Sequence, residues 1–343
     1  MKLTSLSIIA ALLAQTATSA PVQRAECTTK SQRKAWHTLT TDEKHAYIEA
    51  EQCLMSLPPK FGLLGPSSRF DEFVTLHVMV APEYHFTGSF LPYHRLMVQN
   101  HFLALRDECN YKGAQPYWNE TLDAGNFKAS VVLDPETGFG GDGGGEKGCV
   151  QDGPFKDYVS GVGPYANSSA HCITRKIDEC QSSKAAKVHV DKCMEKQTFN
   201  DFWPCIEENP HDGLHQGMGG LMRYFGSPGD PLFYLHHTYM DKVWWQWQSA
   251  APSSRLFDIS GQNALYTLPP SFSETDICGV PPSPDDMPPL VSAEVGRIMA
   301  EGDAALETTL GHILHLPGLW DNQTTVGDVM DIQGGFLCYE YDD

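Results

Sequence analysis

The sequence has little positive charge. Lys and Arg number 24 among 343 residues, against 43 Asp and Glu, which gives a formal net charge of -19 at pH 7. Proteins bind nucleic acids mainly through basic surfaces that neutralise phosphates, so we expect no nucleic-acid partner for this acidic chain. A net charge of this size favours solubility outside the cell instead.

No run after residue 20 is long and apolar enough to cross a bilayer. The first twenty residues combine Lys2, an apolar run that ends at Leu13, and the small-residue stretch Thr16–Ala20. This pattern predicts a secretory signal peptide over residues 1–20, because the run is too short to span a membrane. We therefore expect a secreted protein without a membrane anchor. Because 41% of the chain is hydrophobic, residues 21–343 can form one large domain.

The sequence also lacks a C-x-x-C pair, which disfavours a structural zinc site. It nevertheless has ten cysteines, all after residue 20. An even number in a secreted chain predicts disulfide bonds, whose connectivity the sequence leaves open. Three N-x-S/T sequons, which begin at Asn119, Asn167 and Asn322, agree with secretion.

Histidine is the residue type whose pattern is most informative. One set is spaced H-x7-H-x8-H over residues 77–94, and a second set lies within residues 211–237. Imidazole is a ligand for Cu, Zn, Fe and Ni, and no nearby Cys or carboxylate set indicates another common site. A pair of copper ions that binds dioxygen needs three imidazole ligands for each ion, and the two histidine sets can supply them. The candidate ligands are His77, His85, His94, His211, His215 and one of His236 and His237.

Local signals place the first histidine set around two helices. A capping-box pattern at 68–71 precedes an apolar run, so His77 is predicted to lie late on a helix. Gly88–Pro92 interrupts the chain after that helix and puts His85 on a loop. The proline suits the first turn of a new helix, which carries His94.

The second histidine set is predicted to lie on two further helices. His211 and His215 are four residues apart, so they lie one above the other on a helical face. Asp230–Pro231 indicates the start of a helix that runs to about Trp247 and carries the adjacent pair His236–His237. Neighbouring helical residues point about 100° apart, so only one of the pair can face a metal, and periodicity does not choose between them.

The remaining segments complete a mainly α expectation. We expect helical structure over 27–57, a helical insertion over 171–198, and a helix near 292–299. The glycine-rich segment 124–170 is predicted to be a long surface loop, and residues 334–343 alternate like a short strand. The predicted architecture is a helical bundle with the metals between facing helices, each helix pair supplying one half of the site.

Three segments carry a resemblance to a known family. FLPYHR at 90–95, PHDGLH at 210–215 and DPLFYLHHTYMDKVWWQWQ at 230–248 resemble the type-3 copper proteins, which are tyrosinases, catechol oxidases and haemocyanins. The resemblance runs from about Cys27 to the end of the chain and is strongest to short secreted fungal members. It implies a four-helix-bundle core that holds two copper ions, with small peripheral strands and long loops. It also implies oxidation of o-diphenols to o-quinones by dioxygen, and leaves ortho-hydroxylation of monophenols open.

The resemblance implies roles for individual residues. His237 is the third ligand of the second copper, and His236 lies beside it. Glu207 matches a residue that holds a water near the second copper, and that water is proposed to deprotonate an incoming phenol. Asp212 occupies the position that controls activity, where Asn often accompanies phenol hydroxylation; an ionised Asp can only accept hydrogen bonds. Further matches are the structural Asp241 and the aromatic site residues Phe90 and Phe233.

The sequence departs from the family pattern at several positions. Glu83 stands where many fungal tyrosinases have a Cys that forms a thioether with the second ligand, so no thioether is expected. Asn119–Glu120 alters an acidic structural position. Tyr224 or Phe225 falls where plant enzymes carry a bulky residue over the first copper, which would crowd a phenol. Tyr339–Tyr341 matches the motif that closes the catalytic core, and the chain ends without the shielding domain of latent tyrosinases.

Two other classes use similar ligands. A dioxygen carrier binds the same copper pair reversibly, and a zinc-loaded version could act as a Lewis acid in secondary metabolism. Turnover of catechol separates an oxidase from a carrier, and metal analysis separates copper from zinc. A zinc protease is disfavoured because HDGLH lacks the glutamate of HExxH. The other histidines are expected to be ordinary core or surface residues: His37, His45, His101, His171, His189, His312 and His315.

Overall fold

The structure is a computed structural model. It describes residues 27–164, 169–268, 277–279, 290–293, 295–296, 301–316 and 324–342. The predicted signal peptide, the sequons at Asn167 and Asn322, and half of the helix predicted near 292–299 lie outside these residues.

Helices dominate the described part of the chain. They are α1 (Thr41–Ser56), α2 (Arg69–Tyr84), α3 (Phe90–Glu108), α4 (Glu179–Ser182), α5 (Lys187–Met194), α6 (Phe199–Ile206), α7 (Asp212–Met218), α8 (Leu232–Ala250), α9 (Pro252–Arg255) and α10 (Val326–Val329). Short 3-10 turns lie at Trp36–Thr38, Glu120–Leu122, Phe127–Ala129, Val131–Leu133, Ser183–Ala185, Gly220–Arg223 and Ser227–Gly229. The mainly helical class predicted from the sequence is confirmed.

The strands are short and peripheral. They are β1 (Ser31–Arg33), β2 (Gly143–Gly144), β3 (Cys149–Val150), β4 (Val159–Ser160), β5 (His171–Cys172) and β6 (Tyr339–Tyr341). β1 pairs with β6 in parallel, with Ser31 opposite Tyr339, whereas β2–β3 and β4–β5 are antiparallel. The strand expected at the end of the chain is therefore present, and its partner is the first described strand.

Polar side chains mark the starts of α1 and α8, the latter at the Asp230–Pro231 start that the sequence predicts. The Thr40 hydroxyl accepts from the Glu43 N–H at 3.2 Å, and the Glu43 carboxylate accepts from the Thr40 N–H at 2.8 Å. This reciprocal capping box satisfies backbone donors that have no partner within the helix. The Asp230 carboxylate accepts from the Leu232 N–H at 3.1 Å and forms a buried ion pair with Arg175.

The capping box predicted for α2 is only half formed. The Ser68 hydroxyl accepts from the Asp71 N–H at 3.1 Å, as expected of an N-cap. The Asp71 carboxylate turns away and accepts from the Ser160 and Tyr158 hydroxyls at 2.6 and 2.8 Å and from the Gly161 N–H at 3.0 Å. It therefore fixes a distant loop against the start of α2.

A π turn, Glu207–His211, joins α6 to α7. It contains Pro210, which has no backbone N–H and cannot continue the ordinary helical hydrogen bonds. The wider turn accommodates the proline and packs on α8. His211 thus lies in the π turn and His215 lies in α7, on what is still one continuous helical path.

The helices that carry the histidine sets form the core of the bundle. α3 packs along α8, and α1 packs against both α2 and α3. Fully buried aromatic residues fill the contacts, and burial of such side chains is a dominant favourable contribution to folding. The largest of them are Trp36, Trp118, Trp244, Trp247, Tyr47, Tyr84, Tyr93, Tyr234 and Tyr339.

Three expectations about peripheral segments are wrong in part. Residues 27–40 contain a strand and a 3-10 turn and are not helical, because β1 pairs with distant residues of β6. The segment 171–198 contains a strand and only two short helices. The glycine-rich segment 124–170 is more than a surface loop. It sends fully buried aromatic side chains into the core, namely Phe127, Phe139 and Phe155.

Ten cysteines form five disulfide bonds, which confirms the expectation from their even number. The pairs are Cys27–Cys338, Cys53–Cys109, Cys149–Cys172, Cys180–Cys278 and Cys193–Cys205. The first joins residues 311 positions apart and lies beside the β1–β6 pair. Within the described residues, no helix has the length and apolar character needed to cross a membrane.

A buried ion network fixes the end of the chain to the helical core. The Asp241 carboxylate on α8 accepts from Arg33 at 3.2 Å, from the Tyr339 hydroxyl at 2.6 Å, and from Arg95 and the Tyr341 hydroxyl. Burial alone would raise the pKa of the Asp241 carboxyl, but Arg95 and Arg33 outweigh it and hold the pKa below its usual value.

We expect Asp241→Asn to lower the free energy of unfolding by about 3–5 kcal/mol, because it leaves two buried guanidinium groups without a countercharge. Urea unfolding at pH 7 measures this. Because the folded-state pKa of Asp241 is depressed, its stabilisation is present above the unfolded-state pKa and is lost as the pH falls through the folded value.

The control is Asp191→Asn, which removes a carboxylate paired with Lys187 on the surface. Exposed pairs contribute about 0–1 kcal/mol, so this variant should unfold nearly like the wild type. Equal losses in both variants would contradict the role given to Asp241.

Candidate metal centre

The first histidine set converges where α2 ends and α3 begins. His77 lies on α2, His85 is the C-cap of α2, and His94 lies on the first turns of α3. One ring nitrogen of each lies within 4.8 Å of those of the other two. The Nε2 atoms of His77 and His94 are 3.4 Å apart.

Backbone carbonyls orient these three rings. The Nδ1 atom of His77 bonds to the Phe225 carbonyl at 2.7 Å. The Nδ1 atoms of His85 and His94 bond to the carbonyls four residues earlier, at 3.0 and 2.9 Å. A carbonyl at Nδ1 sets the tautomer that leaves Nε2 unprotonated, which is the common arrangement of a metal-ligating histidine.

The second set contains four histidines: His211, His215, His236 and His237. The Nδ1 atom of His211 bonds to the Glu207 carbonyl at 3.1 Å, and that of His215 bonds to the Met222 carbonyl at 2.5 Å. All four rings are buried, and their ligand atoms lie within 4.8 Å of one another. The second helix pair thus brings its histidines together in one group, as predicted: His211 and His215 come from the π turn and α7, and His236 and His237 come from α8.

The two sets face each other across two phenylalanines. The rings of His94 and His237 stack with centroids 4.0 Å apart, and those of His85 and His211 are 6.3 Å apart. The Phe90 ring lies 4.8 Å from His94 and 4.7 Å from His211, so it contacts both sets. Phe233 does the same between His77 and His237 (5.2 and 4.2 Å).

The residues present fit a pair of metal ions. In the described part of the chain, the Nε2 atoms of the second set are buried without a hydrogen-bond partner. Leaving such an atom unpaired costs about 1–3 kcal/mol, and a metal ion would remove that cost. Two buried all-histidine sets placed side by side are the donor arrangement of a type-3 dinuclear copper site.

The protonation state of the rings also suits metal binding. Burial, followed by repulsion from neighbouring histidines in most cases, lowers the pKa of every histidine in the two sets. The pKa falls to about 4 for His85 and to about 3 for His211 and His215. The rings are therefore neutral near pH 7, which is the form that coordinates metals.

Both members of the His236–His237 pair reach the second set. The Nδ1 atom of His236 bonds to the Glu120 carboxyl at 2.6 Å, and both side chains are fully buried. Neither ring nitrogen of His237 has a hydrogen-bond partner among the described residues. The partner of His236 comes from the Asn119–Glu120 position, where the sequence departs from the family pattern. Sequence reasoning missed it because the two residues are 116 positions apart.

Glu207 lies close to the centre but does not line its cavity. Its carboxyl is buried, and Oε1 accepts from the Phe86 N–H at 2.8 Å. The other oxygen has no hydrogen-bond partner in the described residues. Burial raises the pKa of the Glu207 carboxyl well above its usual range.

Asp212 does line the cavity that opens onto the two sets. Its side chain is 31% exposed, and burial raises the pKa of its carboxyl to about 6. Tyr224 and Phe225, the two candidates for a bulky residue near the first copper, both lie in the wall. The complete lining consists of His77, His85, Phe86, His211, Asp212, His215, Gln216, Met222, Arg223, Tyr224, Phe225 and Ser227.

Several histidines outside the two sets contact carboxylates or backbone carbonyls. His312 bonds to Asp303 at 2.6 Å, His45 contacts the Glu136 carbonyl, and His171 contacts two backbone carbonyls. His101 is buried against Glu51, at 3.2 Å. Among the residues that the structure describes, none of them joins a group of three possible metal ligands.

Comparisons with known proteins agree with this geometry. The common central domain of tyrosinase matches residues 67–250. The tyrosinase-like protein phomQ1 of Diaporthe leptostromiformis is 32% identical over 95% of this chain and 81% of its own. The N-acetyl-6-hydroxytryptophan oxidase ivoB of Emericella nidulans is 29% identical over 99% of both chains.

A solved structure gives the same result. The polyphenol oxidase of Thermothelomyces thermophila superimposes with a TM-score of 0.69 at 25% identity, covering 92% of this chain and 89% of that one. A functional unit of octopus haemocyanin shares the fold, with a TM-score of 0.56 at 18% identity. The tyrosinase domain matches more than half of this chain, and both facing histidine sets lie inside the matched residues. This chain therefore belongs to the tyrosinase family and is an oxidoreductase of the tyrosinase type.

Proposed function

We propose that the protein is a secreted polyphenol oxidase that oxidises o-diphenols to o-quinones with dioxygen and two copper ions. The observation that carries the proposal is the pair of facing histidine sets, each of which contributes two rings to the wall of one cavity. In the overall reaction, two catechols and one dioxygen give two quinones and two waters. A reversible carrier is disfavoured by the family relatives, which include named oxidases.

We assign the first copper to the ligands on α2 and α3 and the second copper to those on α7 and α8. The proposed ligands are His77, His85 and His94 for the first ion, and His211, His215 and His237 for the second. When bound, the copper pair supplies the two-electron exchange with dioxygen. Carbonyl partners orient five of the six rings, and because the rings are neutral they can bind the ions without releasing protons.

The residues around the pair would orient the substrate and handle its protons. Phe86 and Phe225 in the cavity wall offer apolar faces against which an aromatic ring can pack. Asp212 can accept a hydrogen bond from a phenolic hydroxyl, and the unpaired oxygen of Glu207 can hold a water that takes the proton. We propose both as catalytic residues.

The substrate class and location follow from several features together. The Emericella relative is named for the oxidation of N-acetyl-6-hydroxytryptophan, a phenol-like small molecule, and others are named as tyrosinases. We propose a small phenol as the substrate here. Five disulfides and the signal-like first twenty residues support secretion of residues 21–343 as one catalytic domain.

We expect the copper-loaded protein to contain two copper ions per chain and to take up dioxygen with catechol. His94→Ala or His215→Ala should abolish the near-ultraviolet absorption that develops when hydrogen peroxide is added, because each variant removes one of three ligands of an ion. His37→Ala, at an exposed site, is the control and should retain the absorption. An undiminished band in either ligand variant would overturn the assignment, and zinc in place of copper would overturn the function.

A second prediction separates the adjacent histidines. His236→Ala should lose about 10–100-fold in copper affinity, as expected when a neighbour of a metal ligand is removed. His237→Ala should lose far more, because it removes a ligand. Competition with a chelator, followed by metal analysis, measures both. The opposite order would make His236 the ligand, with Glu120 fixing its tautomer.

A third prediction concerns the balance between the two substrates. Diphenol oxidation should exceed monophenol hydroxylation, because a monophenol must first lose a proton to a base or a held water. Asp212→Asn should raise the monophenol-to-diphenol rate ratio by adding an amide donor. Glu207→Gln should lower it by at least about tenfold, since a positioned base contributes about 10²–10⁴-fold. The glutamine still accepts from the Phe86 N–H, so the loss reports the ionisable group alone.

Initial dioxygen uptake on a matched phenol and catechol gives these ratios. Asp201→Asn removes an exposed carboxylate on α6 and should leave the ratio unchanged. A wild type that hydroxylates the phenol as fast as it oxidises the catechol would show the proposed balance to be wrong.

A further inference from the structure

The loop between α2 and α3 carries a proposed ligand next to a strained residue. His85 ends α2, and the following Phe86 has a φ of +58°. A side chain at positive φ crowds its own backbone, so a phenylalanine leaves this region unless its surroundings hold it there. Whatever holds Phe86 therefore also fixes the backbone from which the His85 ring projects.

Two side chains from separate elements hold Phe86. Its N–H donates to Glu207 Oε1 in the π turn at 2.8 Å. Its carbonyl accepts from Gln262 Nε2 at 2.6 Å. Gln262 lies in the irregular segment after α9, beyond the matched central domain that ends at residue 250. The backbone N–H and the carbonyl of Phe86 are thus both bound, each by a side chain from a different segment.

Gln262 is itself fixed on every side. Its side-chain Oε1 accepts from the Tyr266 and Thr267 N–H groups, each at 3.1 Å. Its own carbonyl accepts from the Gly88 N–H at 2.9 Å and from the Thr308 hydroxyl at 3.2 Å. The side chain is therefore already oriented, with little rotational freedom to lose.

The same segment touches the ligand loop through its backbone. A Cβ atom on Gly88 would lie 2.2 Å from the Ser260 carbonyl oxygen, so only glycine permits this approach. The loop and the segment around Gln262 are thus in direct backbone contact. Gln262 reaches Phe86 across that contact.

Position 83 offers no covalent restraint on His85, because its residue is Glu83. The cysteine that forms a thioether to the second ligand in many fungal tyrosinases is replaced here by Glu83. Glu83 lies 3.6 Å from His315, and the neighbouring Tyr84 hydroxyl accepts from the His315 N–H at 2.7 Å. These contacts anchor the end of α2 but do not touch His85 or Phe86. Among the residues that the structure describes, the His85 ring has one hydrogen bond, to the Ala81 carbonyl.

We propose that Gln262 is a positioning residue for the first copper, because it clamps the Phe86 carbonyl and so sets the direction of the His85 ring. The inference rests on the proposed role of His85 as a copper ligand. Without the clamp, Phe86 relaxes toward negative φ and turns His85 away from His77 and His94. The first copper then binds more weakly, while the second keeps its ligands.

The test variant is Gln262→Glu. It keeps the size of the side chain and an oxygen that accepts from Tyr266 and Thr267, but it replaces the Nε2 donor to the Phe86 and Thr267 carbonyls with a carboxylate oxygen. Gln262→Met is a second variant without charge. The matched control is Asn263→Ala, because Asn263 binds Asp303 and the carbonyls of the same outer segment but not the ligand loop.

Copper-loaded proteins would be dialysed against a chelator and their copper content measured. We expect the wild type and Asn263→Ala to keep about two ions per chain. Both Gln262 variants should fall to about one, because affinity at one site drops by about 10–100-fold. The remaining single cupric ion should give an electron paramagnetic resonance signal that a coupled pair does not give. The metal-free Gln262 variants should melt at about the same temperature as metal-free Asn263→Ala.

Three results would overturn the inference. Copper retention equal to that of the wild type in both Gln262 variants would show that the clamp does not act on His85. An equal loss in Asn263→Ala would show that any disturbance of the outer segment has the same effect. A wild type that binds no copper pair would remove the proposed function itself and this inference with it, whereas the first two results leave the proposed function standing.

Discussion

The carboxylate of Asp241 is the point on which the rest of the structure depends. Arg95, one of its two buried cationic partners, directly follows His94, and Asp241 itself lies one helical turn after His237. One ion network therefore fixes the distance between α3 and α8, and with it the distance between the two histidine sets. Tyr339 and Tyr341 add the end of the chain to the same carboxylate, so β6 stabilises a site that it does not touch.

Around that network, the backbone sets the geometry of the metal centre. Five of the six proposed ligands bond through Nδ1 to a main-chain carbonyl, and three of those carbonyls lie four residues earlier in the chain. The helix fixes the position of each carbonyl within it, so these rings need few additional side chains to orient them. The exception is His237, whose ring nitrogens have no hydrogen-bond partner among the described residues; its neighbour His236 bonds to the Glu120 carboxyl instead.

The sequence was sufficient for features that depend on local chemistry. Helix starts at Ser68 and Asp230 were predictable because caps and turns act over a few residues, and the two histidine sets were evident from their spacing. Pairings between distant residues were not predictable. The strand pair β1–β6, the buried aromatic residues of segment 124–170 and the Glu120–His236 bond all join parts of the chain that no periodicity connects. Periodicity could not choose between His236 and His237 for the same reason, because the Glu120 carboxyl that orients the His236 ring comes from 116 positions away.

The π turn at Glu207–His211 acts as a phase shift in an otherwise regular helix. A helix that keeps one period must present its apolar residues and its ligands in one fixed angular relation. The wider turn breaks that relation, so Phe202 and Ile206 on α6 can face the core while His215 on α7 faces the metal centre. The residues before Pro210 can therefore pack against the core, while those after it are oriented independently toward the metal centre. Deleting one residue there would restore the regular period and rotate one of these faces by about 100°.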